Sequence, residues 1–261
     1  NQSKRVLIVG GVAGGASCAA RLRRLDESAG IVLFDRGPFV SFANCGLPYY
    51  VGNVIQEEAK LLVATPELFR ARFNIEVRTQ SEVTAIHREA GEIEVRETGS
   101  GRRYRERYDA LVLSPGAAPV RPPLPGIDLE GVFALRTIPD SRRIRDWIES
   151  RNARRAVVVG GGFIGLEMAE NLVQREIEVT LVEMAPQLLP PFDPDMADFV
   201  YRRVASRVAH VQLCDGVERF SQAGSGLVVH TCSGGSFPAD LAILAIGVRP
   251  ETELARHFCR R

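Results

Sequence analysis

One local pattern occurs twice in this sequence, about 150 residues apart, and it constrains the fold more than any other feature. The apolar segment RVLIVG is followed by a glycine-rich turn and by ASCAARLRRL, a stretch compatible with a helix. AVVVGGGFIG and LEMAENLVQRE repeat this order from residue 156. A strand, a glycine-rich turn and a helix form a unit that binds phosphate at the helix N-terminus. The repeat therefore predicts two dinucleotide-binding domains.

An acidic residue follows each unit where a ribose-binding carboxylate is expected. Asp35 ends the apolar segment IVLFD, 25 positions after Gly10, and Glu183 ends EVTLVE in the second copy. In dinucleotide-binding folds such a carboxylate lies about 20 residues beyond the loop. A glycine turn that served packing alone would leave Glu183 unexplained, so the acid strengthens the interpretation.

The two loops differ at their middle position. Gly160, Gly162 and Gly165 fit G-x-G-x-x-G, whereas the first loop has Val12 where the middle glycine is expected. That glycine normally lets the backbone approach the pyrophosphate. The second loop is therefore the stronger motif, although the additional glycines of GGVAGG partly compensate for Val12 in the first loop.

The segments after each unit predict the rest of each domain. The alternating segments EIEVRE and LVVHT indicate antiparallel meanders, and the apolar runs ALVLSPG and LAILAIG indicate buried strands that return to a parallel sheet. The predicted fold class is α/β, with two Rossmann-like three-layer dinucleotide-binding domains that each carry an antiparallel meander. We expect domains at residues 1–118 and 119–246. The proline-rich stretch 119–128 is the predicted linker.

Charge, hydropathy and cysteine content exclude several classes of function. The 33 basic and 32 acidic side chains give a net charge of +1, so no global field attracts nucleic acid or an anionic membrane. No apolar run approaches the roughly 20 residues that cross a bilayer, and the start of the sequence does not resemble a signal peptide. The five cysteines include no C-x-x-C pair, which argues against a disulfide framework and a zinc site. We expect a cytoplasmic protein with no nucleic-acid partner, no membrane partner and no metal.

One cysteine differs from the others in its context. Cys45 lies in SFANCGLPYY, whose GLPYY portion is predicted to begin a helix, and the N-terminus of a helix favours a thiolate. A single redox thiol needs an external oxidised partner: a mixed disulfide with a small thiol, a persulfide or a sulfenic acid. The remaining cysteines are expected to be small buried side chains, namely Cys18, Cys214, Cys232 and Cys259.

Several segments, taken together, resemble a known family. RVLIVGGVAGGASCAARLRRL, SFANCGLPYYVG, LLVATPELFRARFNIEV, LVLSPGAAPVRPPLPGID and LAILAIGVRPETELA are similar to the coenzyme A-disulfide reductase branch of the flavin-dependent pyridine nucleotide-disulfide oxidoreductases. Members of this family continue further, with a segment that completes the FAD site and a dimerisation domain. The resemblance implies a homodimeric full-length protein, in which residues 1–118 form the N-terminal portion of an FAD-binding domain and 119–246 an NAD(H)-binding domain. It also implies that 247–261 begin a return to the FAD-binding domain.

The resemblance also implies where the cofactors bind. The first loop holds the ADP part of FAD with Asp35 on the ribose, and the second loop with Glu183 holds NADH. NADPH is less expected, because no Arg or Lys directly follows Glu183 to accommodate a 2′-phosphate. Phe163 matches an aromatic gate over the flavin, with core packing as the alternative, and Glu167 matches a carboxylate near the nicotinamide. The other expected cofactor-binding residues are Gly10, Val12, Ala13, Gly14, Arg36, Asn44, Val83, Ser114, Pro115, Gly116, Gly160, Gly162, Ile164, Gly165 and Gly247.

The reaction implied is reduction of coenzyme A disulfide, or of a related coenzyme A persulfide or polysulfide, through Cys45. NADH delivers hydride to FAD, and the reduced flavin reduces a mixed disulfide between Cys45 and coenzyme A. Ser41 and Asn44 are expected to orient the thiol chain. The coenzyme A phosphates are expected on Ser17, Arg21 and Arg24, with a solvated helix face as the alternative for the two arginines.

Two other functions stay open at the sequence level. One is an NADH oxidase or peroxidase that cycles Cys45 through a sulfenic acid. The other is a non-catalytic nucleotide-binding module. The residues alone do not separate the two enzymes, because both need the same thiol beside the same flavin.

Overall fold

The computed structural model describes residues 3–259, with side chains as far as Arg256. The chain divides into two compact units. The first takes in the chain up to Ala43, Ala59–Ala117 and the chain from Pro250 onward, and the second takes in Asn44–Glu58 and Ala118–Arg249. Residues 1–118 were expected to form one uninterrupted domain, whereas the segment that carries Cys45 belongs to the second unit.

The helices and strands are numbered in chain order. The α-helices of the described residues are α1 Gly14–Leu25, α2 Leu47–Val51, α3 Pro66–Phe73, α4 Ile138–Arg151, α5 Phe163–Gln174, α6 Pro194–Ala205 and α7 Glu253–Cys259. The strands are β1 Arg5–Val9, β2 Gly30–Phe34, β3 Glu76–Arg78, β4 Ser81–His87, β5 Glu92–Glu97, β6 Arg103–Arg107, β7 Ala110–Leu113, β8 Ala117–Pro119, β9 Val132–Ala134, β10 Arg155–Val159, β11 Glu178–Val182, β12 His210–Gln212, β13 Val217–Ala223, β14 Gly226–Thr231, β15 Ser236–Ala239, β16 Leu241–Leu244 and β17 Val248–Pro250.

The first unit is built on a four-stranded parallel sheet with the order β3-β2-β1-β7. Because side chains alternate between the faces of a strand, β1 and β2 contribute to two cores. Ile8 and Leu33 pack with Ala16 and Ala19 of α1 on one face. Leu7, Val9, Val32 and Phe34 pack on the other face with Val83, Ile93 and Val95 of the antiparallel meander β4-β5-β6. Helix, sheet and meander are the three predicted layers.

The second unit repeats this plan with one strand more. Its parallel sheet has the order β12-β11-β10-β16-β9, and β13-β14-β15 form its meander. Val157, Val159 and Val182 of the sheet pack against Phe220 and Val229 of the meander. The α/β class with two Rossmann-like three-layer units, each with a meander, is thus confirmed.

The proline-rich segment 119–128 packs instead of linking. Ile127 is buried in the core of the second unit, and a Cβ on Gly126 would lie only 2.1 Å from the carbonyl oxygen of Phe220. The second unit already includes Ala118, so the chain has entered it before this segment begins. The predicted linker was therefore wrong, because Ile127 and the glycine let this segment close the second core.

The described part of the chain contains no helix that is both long and apolar enough to cross a membrane. Among the same residues, no group of three or more His, Cys, Asp or Glu side chains is placed to hold a metal ion.

Candidate functional site

The first glycine loop is shaped by contacts that exclude any side chain. Gly10 has φ of 93°, its N–H donates to the carbonyl of Phe34 at 2.8 Å, and a Cβ there would lie 1.9 Å from the carbonyl oxygen of Ser114. A Cβ on Gly15 would lie 1.8 Å from the carbonyl oxygen of Gly10. The two glycines therefore bring the start of α1 against the carboxyl ends of β1 and β7.

Asp35 is held by the loop beside it. One carboxylate oxygen accepts from the N–H of Gly11 and the other from the N–H of Gly37, each at 2.8 Å. Burial raises the pKa of Asp35 above its usual range, although these two donors and the charge of Arg36 act to lower it. The two backbone donors thus fix the orientation of the carboxylate.

The second loop has the same construction. Gly160 has φ of 108° and donates to the carbonyl of Val182 at 2.8 Å, and a Cβ on Gly165 would lie 1.9 Å from the Gly160 carbonyl oxygen. Glu183 accepts from the N–H of Gly161 at 2.5 Å and from that of Ala185 at 2.7 Å. The sequence repeat is therefore a repeat of hydrogen bonds as well.

A second turn, which was not predicted from the sequence, supports each loop. Ser41, with φ of 45°, donates its N–H to the carbonyl of Gly11, and Leu189, with φ of 49°, donates to that of Gly161. Left-handed backbone is uncommon outside glycine, so neither residue type signals it. The available signal in the sequence was the GG dipeptide. The second glycine of each dipeptide donates its N–H to the acid and accepts the N–H of this turn at its carbonyl.

The middle position of each loop faces open space. A Cβ on Gly162 would meet nothing within 4 Å, and Val12 at the equivalent position is partly exposed. No side chain caps the N-terminus of α1 or α5, and the first turn of each holds no acid. Uncapped N–H groups at a helix N-terminus suit a phosphate, so both loops fit a pyrophosphate.

The other expected cofactor residues of the first unit fall into two groups. Ala13, Gly14, Pro115 and Gly116 are exposed, and a Cβ on Gly14 would lie 3.0 Å from Oγ of Ser114. Val83 is instead a buried core side chain of the meander. The exposed Arg36 pairs with Glu251 at 2.7 Å.

The first residue of α5 presents an exposed aromatic ring. Phe163 is 60% exposed and packs edge-on against Phe192, with ring centroids 6.0 Å apart. Core packing of Phe163 is thus excluded. Ile164 is also exposed, and Gly247 is exposed with φ of 103°. Burial raises the pKa of Glu167, one turn further along α5, and the carboxylate of Glu170 acts in the same direction.

Cys45 lies in a 3₁₀ turn, Asn44–Gly46, directly before α2. Its thiol is exposed, and the predicted helix after it is present. Oδ1 of Asn44 is buried without a hydrogen-bond partner among the described residues. Because a buried acceptor without a partner is costly, this oxygen is suited to receive a hydrogen bond from a bound group.

The expectation that the other cysteines are buried was wrong in two cases. Cys214 and Cys232 are exposed and Cys18 is partly buried. Cys214 has φ of 54° in a turn that donates to Ala185, a geometry that residue type does not reveal. The side chain of Cys259 lies outside the described residues.

The expected substrate residues are divided between the units. Ser17, Arg21 and Arg24 are exposed on α1 of the first unit, which also contains Ser41. Asn44 and Cys45 belong to the second unit. Arg23, between the two exposed arginines, binds five backbone carbonyls, those of Asp26, Glu27, Ala29, Phe73 and Asn74.

Comparisons with known proteins agree with this geometry. A family model described as pyridine nucleotide-disulphide oxidoreductase matches residues 4–259. A coenzyme A disulfide reductase of Staphylococcus haemolyticus is 37% identical over 78% of this chain and 46% of its own. An NADH oxidase of Methanocaldococcus jannaschii is 35% identical over 97% of this chain and 56% of its own.

A solved structure is closer in sequence than either of these relatives. The crystal structure of reduced Bacillus anthracis CoADR-RHD superposes with a TM-score of 0.94 at 48% identity, covering 98% of this chain and 46% of that one. The chain thus spans about half the length of the proteins it matches.

Proposed function

Because this chain belongs to the pyridine nucleotide-disulphide oxidoreductase family, we propose that it serves the reduction of coenzyme A disulfide, or of a related coenzyme A persulfide or polysulfide, by NADH. The observation that carries this proposal is the exposed thiol of Cys45 beside the unpartnered Oδ1 of Asn44, in a chain with two equivalent dinucleotide loops. The proposal includes a homodimeric full-length protein in the cytoplasm.

The two loops are assigned to different dinucleotides. We assign FAD to the first loop with Asp35, and NADH to the second loop with Glu183, whose two oxygens are already held by backbone N–H groups. The next residues, Met184, Ala185 and Pro186, offer no cation for a 2′-phosphate. Bound together, these cofactors would supply an electron relay from nicotinamide to sulfur.

Cys45 performs the sulfur chemistry in this proposal. Its thiolate attacks one sulfur of the substrate disulfide, so that a mixed disulfide forms and the other half leaves as a thiolate and takes up a proton. Two electrons from NADH then break the mixed disulfide, which restores the Cys45 thiolate and releases the second thiol. One disulfide, one NADH and one proton thus give two thiols and NAD⁺.

The exposed arginines of α1 support coenzyme A as the thiol carrier. Arg21 and Arg24 lie one turn apart, and neither forms an ion pair among residues 3–256, whereas Arg23 is fully used by backbone carbonyls. A guanidinium suits a phosphate bidentately. The double variant Arg21→Ala/Arg24→Ala should raise KM for coenzyme A disulfide about tenfold, since two exposed charge pairs contribute about 1 kcal/mol or less each. KM for a phosphate-free disulfide should not change.

The thiol itself is tested by Cys45→Ser, with Cys232→Ser as the matched exposed control. Cys45→Ser should abolish release of coenzyme A thiol while NADH still bleaches the flavin absorbance, and Cys232→Ser should retain both. Undiminished thiol release by Cys45→Ser would refute the role of this residue.

A second function is favoured by the similarity to the Methanocaldococcus jannaschii NADH oxidase. An exposed thiol can cycle through a sulfenic acid with peroxide. Consumption of oxygen or peroxide far in excess of thiol release would select this function. A purified protein that is colourless, or whose colour NADH does not bleach, would instead leave only nucleotide binding.

A further inference from the structure

The residues that follow Cys45 have little intrinsic stability. We call residues 44–58 the cysteine segment; it contains a 3₁₀ turn and α2, which has only five residues. Isolated helices shorter than about 12 residues are marginal in water. The position of Cys45 must therefore be imposed by the elements packed against α2, and these are α4 and α5 of the same unit.

Arg145 of α4 contacts the cysteine segment at three points. Its guanidinium lies over the ring of Tyr50, 4.7 Å from the centroid, and donates to Oδ1 of Asn53 at 2.9 Å and to the carbonyl of Gln56 at 3.1 Å. Nε of the same side chain donates to Glu149 at 3.1 Å. The Arg145 side chain is only 18% exposed, so these interactions are poorly screened by solvent.

Arg175, directly after α5, holds α2 from another direction. It donates to the carbonyl of Val51 at 2.9 Å and to Glu149 at 3.3 Å, and its side chain is 15% exposed. Glu149 thus accepts from both arginines. The three side chains form a connected set, in which Arg175 satisfies the carbonyl of Val51 at the C-terminal end of α2, where a cation is favourable.

Neither arginine lies in a nucleotide loop or in the cysteine segment itself. If they only supported the fold, contacts to any part of the segment would serve. The two arginines contact the cysteine segment at the ring of Tyr50 and at Asn53, whose backbone is left-handed with φ of 64°. They also donate to two backbone carbonyls of the segment. These contacts restrain the segment at several points, and Cys45 lies in the turn directly before α2.

We propose that Arg145 and Arg175 are positioning residues that set the reactivity of Cys45 by fixing the cysteine segment to the unit that contains the second dinucleotide loop. The proposal rests on the proposed role of Cys45 in disulfide reduction. A displacement of about 1 Å between reacting groups can slow a reaction by as much as about 100-fold. Loss of Arg145 should therefore slow disulfide exchange at Cys45 without slowing steps that bypass this thiol.

The test compares Arg145→Met with Arg143→Met in the holoenzyme. Methionine keeps the apolar stem of arginine but loses its hydrogen-bond donors. Arg143 is the matched control, because it lies on the same helix and its ion pair is with Asp140, which is not part of the cysteine segment. The first measurement is the single-turnover rate at which the NADH-reduced protein cleaves a chromogenic aryl disulfide, with the reacting cysteine assigned by mass spectrometry. The second is NADH-dependent reduction of a dye that accepts electrons directly from the flavin.

We expect Arg145→Met to slow the attack by Cys45 about tenfold or more, with dye reduction and the reaction of Cys214 unchanged, and Arg143→Met to match wild type. Arg145→Lys should recover the attack in part, because an ammonium keeps the charge over Tyr50 but cannot reach Asn53 and Gln56 together. Attack by Cys45 in Arg145→Met within twofold of wild type would overturn the proposal. Equal losses in attack and dye reduction would also overturn it, since they show general damage.

If Arg145→Met does not fold, Asn53→Gly provides the same test, because glycine keeps the left-handed backbone and removes one acceptor. A slower attack by Cys45 in this variant would support the proposal, and an unchanged attack would contradict it. The aryl disulfide reports on the thiol whatever the natural acceptor is. An absence of coenzyme A disulfide turnover in wild type would therefore count against the proposed substrate and leave this readout intact.

Discussion

At the scale of single residues, the second loop separates a glycine required by the fold from one required by a ligand. A Cβ on Gly160 would lie 2.4 Å from the carbonyl oxygen of Ala245 at φ of 108°, whereas a Cβ on Gly162 would meet nothing within 4 Å. Gly160→Ala should lower the free energy of unfolding by about 2 kcal/mol or more. Gly162→Ala should change it by about 1 kcal/mol or less and weaken binding of the NADH proposed for this loop, because its methyl group points to the open side of the loop. Denaturant unfolding and calorimetric titration measure the two effects, and a fold damaged by Gly162→Ala would refute the distinction.

Asp35 gives the cofactor-free protein a defined pH dependence. Burial raises its pKa in the folded state, so the folded chain binds this proton more tightly than the unfolded chain does. The contribution of Asp35 to stability is therefore fully present below the ordinary carboxyl range and is lost as pH rises through the raised pKa. Asp35→Asn should remove this decrease from the curve of unfolding free energy against pH. A curve of unchanged shape in Asp35→Asn would contradict the prediction.

Residue identity predicted the loops well because the first glycine of each loop answers a local demand that only glycine meets. Gly10 and Gly160 need positive φ and a close backbone approach, and both acids follow at the customary distance. The exposure of Cys214 could not be predicted in this way. Cysteine is commonly buried, and nothing in its neighbours announces the left-handed turn that turns this side chain outward.

At the scale of elements, the contact between α2 and α5 depends on Gly52, directly after α2, having no Cβ. Asn171 is fully buried, its Nδ2 donates to the carbonyl of Glu167 at 2.8 Å, and a Cβ on Gly52 would lie 2.1 Å from its Oδ1. Gly52→Ala should destabilise the fold by about 1–3 kcal/mol through overpacking. In the background Asn171→Ala the same change should cost about 1 kcal/mol less, because Oδ1 and Cγ are gone and only Cβ, at 2.7 Å, still obstructs the new methyl group.

Gly52→Ala, Asn171→Ala and the double variant form a double-mutant cycle, and Gly99→Ala is its control. A Cβ on Gly99 would meet nothing within 4 Å, and surface changes usually alter the free energy of unfolding by no more than about 0.5 kcal/mol. Chemical denaturation of the four variants measures the coupling. Additive losses in the double variant would show that the two residues do not meet. The sequence motif SFANCGLPYY predicted a helix here but not its neighbours, because packing partners more than 80 residues away leave no local pattern.

At the scale of the whole molecule, the two sheets differ in how they protect their last returning strand. β7 lies at the edge of the first sheet and is partly exposed, whereas β16 lies between β10 and β9 and is fully buried. Amides of residues 110–113 should therefore exchange with solvent at least about tenfold faster than those of 241–244. Hydrogen exchange followed by mass spectrometry measures both peptides in one sample. Equal protection would mean that the edge of the first sheet is covered in solution.

The repeat predicted the two units and their layers, but it did not predict how the chain is shared between them. Periodicity reports which residues face a core and not which core they face, so sequence order put residues 44–58 in the first domain and led to 119–128 being taken as a linker. Their positions follow from tertiary contacts, through Arg145 and Arg175 in one case and Ile127 in the other. These are single residues with no period.

The matching hydrogen bonds of the two loops also bear on inhibition. With FAD assigned to one loop and NADH to the other, the shared scaffold of glycine amides, a helix N-terminus and one acid recognises only adenosine diphosphate, the half that the two cofactors have in common. Free adenosine diphosphate should then compete at both loops, and analogues built on it should discriminate poorly. Selectivity has to come from the middle position of each loop, which is Val12 in one and Gly162 in the other. A ligand that fills the open space at Gly162 should be disfavoured in the first loop, where an isopropyl group takes the equivalent position.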